Sequence, residues 1–133
     1  MKIQSIFLAV VLAIALFFAA GCGPSKAGTT LTDADNGRTV TVNAGETLVV
    51  KLGGNPSTGY TWEAKDLDAH MLQQVGEPGF ESFSPGLVGA GGTLTLTFKA
   101  LKPGTTTLTL VYHRSWETNV APLQTFTVTV TVQ

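Results

Sequence analysis

The feature that most constrains this chain is a strict two-residue alternation of apolar side chains with threonine. Leu94, Leu96, Phe98 and Ala100 fall on one side of a run whose other side holds Thr93, Thr95 and Thr97. Leu108, Leu110 and Tyr112 repeat the pattern, and Phe126, Val128, Val130 and Val132 alternate with Thr125, Thr127, Thr129 and Thr131. A period of two is that of a strand with one buried and one wetted face, because successive Cβ atoms point to opposite sides of a sheet. Earlier in the chain Val40 and Val42, then Leu48, Val50 and Leu52, then Tyr60, Trp62 and Ala64 show shorter versions. Nothing between 38 and 133 has a convincing helical period.

These runs predict about seven strands, over 38–43, 46–52, 60–65, 70–75, 93–100, 105–113 and 123–132, separated by Gly- and Pro-containing turns. Such spacing argues an all-β fold, an immunoglobulin-like antiparallel β-sandwich, with Trp62 as a central core residue on the third strand. Residues 77–92 hold Pro78, Gly79, Pro85, Gly86, Gly89, Gly91 and Gly92, and read as a loop. Successive strands of a sandwich alternate direction, so the loops around 53–60, 77–92 and 114–122 gather at one pole. Those three have unusual sequences, whereas the turns at 43–45 and 102–104 are short and plain.

The N-terminus carries a different signal. Lys2 precedes an apolar run from Ile6 to Ala20, then Gly21 and Cys22. That run is shorter than the roughly 20 residues needed to span a bilayer, and its charged start and small-residue end describe a secretory signal. Ala19-Ala20-Gly21-Cys22 resembles the bacterial lipobox, with Ala19 in place of the usual Leu. The resemblance implies a signal peptide over 1–21, removed in an exported protein. Cys22 would be lipidated, with residues 22–37 as a Gly/Ser/Thr/Asp-rich tether and 38–133 as the folded domain. The location implied is the outer membrane or cell surface, since Gly23 is not the Asp that signals inner-membrane retention. Cys22 is the only cysteine, so no disulfide staples the domain. Eight Lys and Arg against nine Asp and Glu leave no basic footprint for nucleic acid.

The pattern offers little for catalysis, for a cofactor or for a metal. Gly54 and Gly59 have phosphate-loop spacing, but Tyr60 stands where the lysine must be. His70 and His113 belong to no cluster with metal-ligand spacing, and both read as surface residues, His113 on an outward strand position. The conspicuous stretch is Asn55-Pro56-Ser57-Thr58-Gly59-Tyr60. Pro56 fixes its own φ and extends Asn55, Gly59 permits positive φ, and the Asn, Ser and Thr side chains can bond to neighbouring backbone. The expected result is a stiff wedge with little bulk at its tip. Trp116 and Arg114 are of the types that dominate protein interfaces. Two alternatives stand beside that reading: Trp116 as a lid folded on the sandwich end, and Arg114 paired with Glu117.

Asn55 to Tyr60, then Gly89, Gly91 and Gly92 within Gly89-Ala90-Gly91-Gly92, then Arg114-Ser115-Trp116 resemble, in order and spacing, the three motifs of the chagasin-like inhibitors of cysteine peptidases. Ser57 replaces a threonine of the first pattern and keeps its hydroxyl; Ser115 replaces the proline of the third and leaves that loop looser. The resemblance implies a monomeric, reversible and competitive inhibitor of papain-like cysteine peptidases, not an enzyme, whose three loops enter the active-site cleft together. A lipid-anchored adhesion or assembly module without a peptidase target is the alternative.

Overall fold

The computed structural model describes residues 28–133; the expected signal peptide, Cys22 and the first part of the expected tether lie outside the described residues. Among the described residues, nine strands form two sheets. They are β1 (Thr29–Thr32), β2 (Thr39–Val42), β3 (Thr47–Gly54), β4 (Thr61–Lys65), β5 (Leu72–Gln74), β6 (Gly79–Ser82), β7 (Gly92–Ala100), β8 (Gly104–His113) and β9 (Gln124–Val132). One sheet has the order β1-β3-β7-β5, with β6 also on β7; the other runs β2-β9-β8-β4.

The alternation read in the sequence decides which face each strand buries. In the first sheet Leu48 stands opposite Phe98, Val50 opposite Leu96 and Leu52 opposite Leu94. In the second, Leu108 faces Val128 and Leu110 faces Phe126 across the β8–β9 pair, and Trp62 faces Tyr112 across β4–β8. All twelve of these side chains are buried in one continuous core between the sheets. A one-residue slip in any pair would turn its apolar row to water, so the core fixes the register. The threonines on the outer faces supply β-branched residues that suit a strand without burying polar groups.

Two expectations are corrected. The first concerns the tether. Thr29–Thr32 forms β1, which pairs in parallel with β3 from Thr29↔Leu48 to Thr32↔Lys51 and buries Leu31 to 3% exposure. The chain then turns through Asp33–Asp35, where the Asp35 carboxylate accepts the Thr32 backbone N–H at 2.8 Å, and crosses to β2 on the other sheet. The folded domain therefore begins by Thr29 rather than at 38. A single apolar residue among threonines gives no readable period, yet the exposed edge of β3 supplies hydrogen bonds to any extended segment beside it.

The second concerns residues 77–92. Gly79–Ser82 is β6, antiparallel to β7 with Phe80↔Leu94 and Ser82↔Gly92. β5 runs in the same direction on the same edge of β7, with Leu72↔Ala100. The two are one edge strand interrupted near Gly76 and Pro78, so glycine and proline mark the break rather than a continuous loop. The irregular part is confined to about 83–91, closed by a Phe83 N–H to Gly91 carbonyl bond of 3.0 Å.

Candidate functional site

Strand register brings the three unusual loops to one pole. The β3–β7 ladder ends at the pair Gly54↔Gly92, so the wedge leaves β3 beside the point where the glycine-rich loop enters β7. The β4–β8 ladder ends at Thr61↔His113, which sets Tyr60 next to Arg114. Gly54 and Gly92 are required there. A Cβ on Gly54 would strike Leu94 and the Tyr112 ring, and one on Gly92 would strike the Glu81 carbonyl and Phe80.

The wedge is organised around Asn55. Pro56–Thr58 forms one 3-10 turn, with Asn55 extended at φ −141° and Gly59 left-handed at φ +83°. The Asn55 side-chain oxygen accepts the Ser57 N–H at 3.1 Å and the Ser57 hydroxyl as well. Its amide nitrogen donates to the Gly89 carbonyl at 2.9 Å, binding the wedge to the second loop. The Asn55 carbonyl accepts the Thr58 hydroxyl at 2.6 Å. Asn55, Ser57 and Thr58 thus use their side chains on the loop itself, which leaves Pro56, Ser57 and Thr58 exposed but held.

The third loop closes on the wedge through Arg114. Its Nε donates to the Thr58 carbonyl at 3.0 Å, its guanidinium lies 4.5 Å from the centre of the Tyr60 ring, and Nη1 donates to Glu117 at 3.0 Å. The pairing with Glu117 is therefore present, and it coexists with a bond to the wedge. Trp116 lies with its ring against Gly59, where a Cβ would collide with it, yet keeps 67% of its surface exposed. It covers Gly59 as a lid and still offers a large apolar face to solvent. Phe83, Leu87 and Val88 of the second loop are also exposed, Val88 almost completely.

Two contributions escaped the sequence reading. Tyr112 looked like an ordinary core residue, but its hydroxyl accepts the Asn55 backbone N–H at 2.8 Å. Its ring sits 5.1 Å from Trp62 and 5.3 Å from Tyr60, so an aromatic ladder runs from the core to the wedge, ending under Arg114. Trp62 is the expected core residue at 2% exposure, and its indole N–H reaches the Gly53 carbonyl at 3.0 Å, fixing the chain just before the wedge. His113 is not simply solvated: its Nε2 lies 2.6 Å from the Glu63 carboxylate on the outer face of β4. Only the outward parity of both residues hinted at that contact. Among the described residues no group of three or more His, Cys, Asp or Glu could hold a metal ion, and no helix is long and apolar enough to cross a membrane.

Residues 41–130 match the model of the family described as Chagasin family peptidase inhibitor I42. The chain belongs to the chagasin family of peptidase inhibitors. Its role is accordingly inhibitory, not enzymatic. Amoebiasin-1 of Entamoeba histolytica is 35% identical over 103 residues, 77% of this chain and 98% of the relative. Chagasin of Trypanosoma cruzi is 34% identical over 90 residues, 65% of this chain and 81% of that one. Among solved structures, the crystal structure of the cysteine protease inhibitor EhICP2 from Entamoeba histolytica superposes with a TM-score of 0.72 at 30% identity, covering 84% of this chain and all of that one. The fold is thus the immunoglobulin-like sandwich of chagasin-type inhibitors. Family membership favours the inhibitory reading over the adhesion or assembly alternative.

Proposed function

We propose that this chagasin-family protein inhibits papain-like cysteine peptidases reversibly, by seating the pole of Asn55–Tyr60, Gly89–Gly92 and Arg114–Trp116 in the active-site cleft. The observation that carries the reading is the bonding of three separate loops into one unit, by Asn55 to Gly89 and by Arg114 to Thr58. A surface ordered before docking loses little conformational entropy on binding. The Pro56–Thr58 turn and left-handed Gly59 present backbone in a bent form. A peptidase needs an extended scissile bond aligned on its thiolate, so the wedge occupies the cleft without being cut. Trp116, and with it the exposed Leu87 and Val88, supplies apolar area beside the wedge.

The inhibitor acts as a monomer, anchored to an outer membrane or cell surface through lipidated Cys22. β1 lends this geometry support. It runs parallel to β3 and starts at the level of Leu48, whereas β3 ends at the wedge. The chain therefore enters the domain from the pole opposite the three loops, and an anchor upstream leaves them turned toward solution.

The test is a titration of residues 23–133 against papain, with the inhibitor recovered afterwards. Inhibition at nanomolar to micromolar concentration with an intact wedge is expected. Uninhibited papain, or cleavage between Asn55 and Tyr60, would overturn the reading. Palmitate labelling that survives Cys22→Ser would overturn the anchor.

A further inference from the structure

The third loop raises a physical question that its sequence leaves open. Arg114 to Glu117 form a four-residue turn closed by the Glu117 N–H on the Arg114 carbonyl at 3.1 Å. Ser115 holds its second position, the place where proline would pre-set φ and where the motif it resembles has proline. With serine there, the backbone of this turn keeps more freedom, and Trp116 and the Arg114 bond to Thr58 would share it. The side chains of the first and last residues of the turn supply a second closure. Arg114 Nη1 donates to Glu117 Oε1 at 3.0 Å, with the two side chains 35% and 28% exposed. A charge-assisted bond that is partly withdrawn from water is stronger and less screened than an open surface pair.

The same guanidinium donates its Nε to the Thr58 carbonyl and rests on the Tyr60 ring. Its orientation is therefore set from two sides, by the wedge and by Glu117. Removing the carboxylate would leave a long cation free to swing toward water, taking with it the one side-chain bond seen between the third loop and Thr58.

We infer that Glu117 is a positioning residue for inhibition: through Arg114 it locks the Arg114–Glu117 turn, and so Trp116 and Thr58, doing by an ion pair what a proline at position 115 would do through the backbone. Glu117 need not touch the peptidase. This rests on the inhibitory reading above for its functional consequence, but the ordering of the free loop does not depend on any peptidase.

The experiment compares the parent domain, Glu117→Ala, and Glu117→Ala with Ser115→Pro, using residues 23–133. Two readouts are taken: papain inhibition as a function of salt, and order in the free protein from the NMR line widths and relaxation of the Gly59 amide and the Trp116 indole. Glu117→Ala should raise the inhibition constant about tenfold, mostly through faster dissociation, and should increase motion at Gly59 and Trp116 with little change in thermal midpoint. Adding Ser115→Pro should restore most of both, and inhibition by the double variant should be less salt-sensitive than that of the parent. Unchanged loop motion in Glu117→Ala would overturn the inference, whatever papain does. Weakened inhibition that Ser115→Pro fails to rescue would mean that Glu117 acts by direct contact, and would overturn it too. If the parent itself does not inhibit papain while loop order follows the expected pattern, the inhibitory reading fails and the ion-pair lock stands.

Discussion

The Tyr112 hydroxyl accepts the backbone N–H of Asn55 at 2.8 Å, so a residue rooted in the sandwich core holds the first residue of the wedge. Tyr112 is 57 positions away in sequence and pairs with Trp62 across β4 and β8. Its ring is buried between Trp62 and Tyr60, and its hydroxyl reaches the start of the loop. Core packing and loop geometry are thereby one structure.

Tyr112→Phe isolates that bond. The ring packing stays, and the part-buried Asn55 N–H loses its acceptor, at a cost of about 1–2 kcal/mol. The thermal midpoint should fall modestly, and the inhibition constant should rise because the wedge loses its fixed point. A variant that matches the parent in both would show that Asn55 is held by the remaining bonds alone.

Gly59 and Trp116 should behave as a coupled pair. An alanine at Gly59 adds strain at φ +83° and pushes against the indole. Trp116→Ala alone should weaken inhibition by about 2 kcal/mol, roughly 30-fold. In the double variant the Gly59→Ala penalty should shrink, since the ring it displaces is gone, leaving only the backbone term. Strict additivity in papain inhibition would mean that the indole and Gly59 act separately.

Leu31 discriminates a strand from a tether. It is buried in the core through β1, so Leu31→Ala should cost about 2–5 kcal/mol in urea unfolding. A free tether would show no change. Inhibition by the folded fraction should be retained, because β1 lies on the β3 edge and its Leu31 is on the core side, away from the wedge.

Amide exchange should divide residues 77–92. Those of 79–82 that bond to β7 should be protected, whereas 84–88, at the exposed tip, should exchange fast. Uniformly fast exchange over the whole stretch would remove β6 as a stable strand.

Much of this protein is legible in its sequence, and the reason is physical. The alternation of Leu, Val and Phe with threonine over 93–100, 105–113 and 123–132 fixes strand type and buried face, since the period of two has no other regular solution. The three motifs at Asn55–Tyr60, Gly89–Gly92 and Arg114–Trp116 carry the family resemblance, and sandwich parity alone places them at one pole. What the sequence could not show are relationships between distant residues that have no periodic signature. β1 exists because Thr29–Thr32 borrows the open edge of β3, and β6 because Gly79–Ser82 lies along β7. Likewise, Asn55 donates to Gly89, Arg114 to Thr58, and Tyr112 accepts from Asn55 only once the two sheets have packed. Local chemistry determined what each segment could be; the tertiary structure alone decided which of its polar groups would find one another, because those distances are set by the core between the sheets.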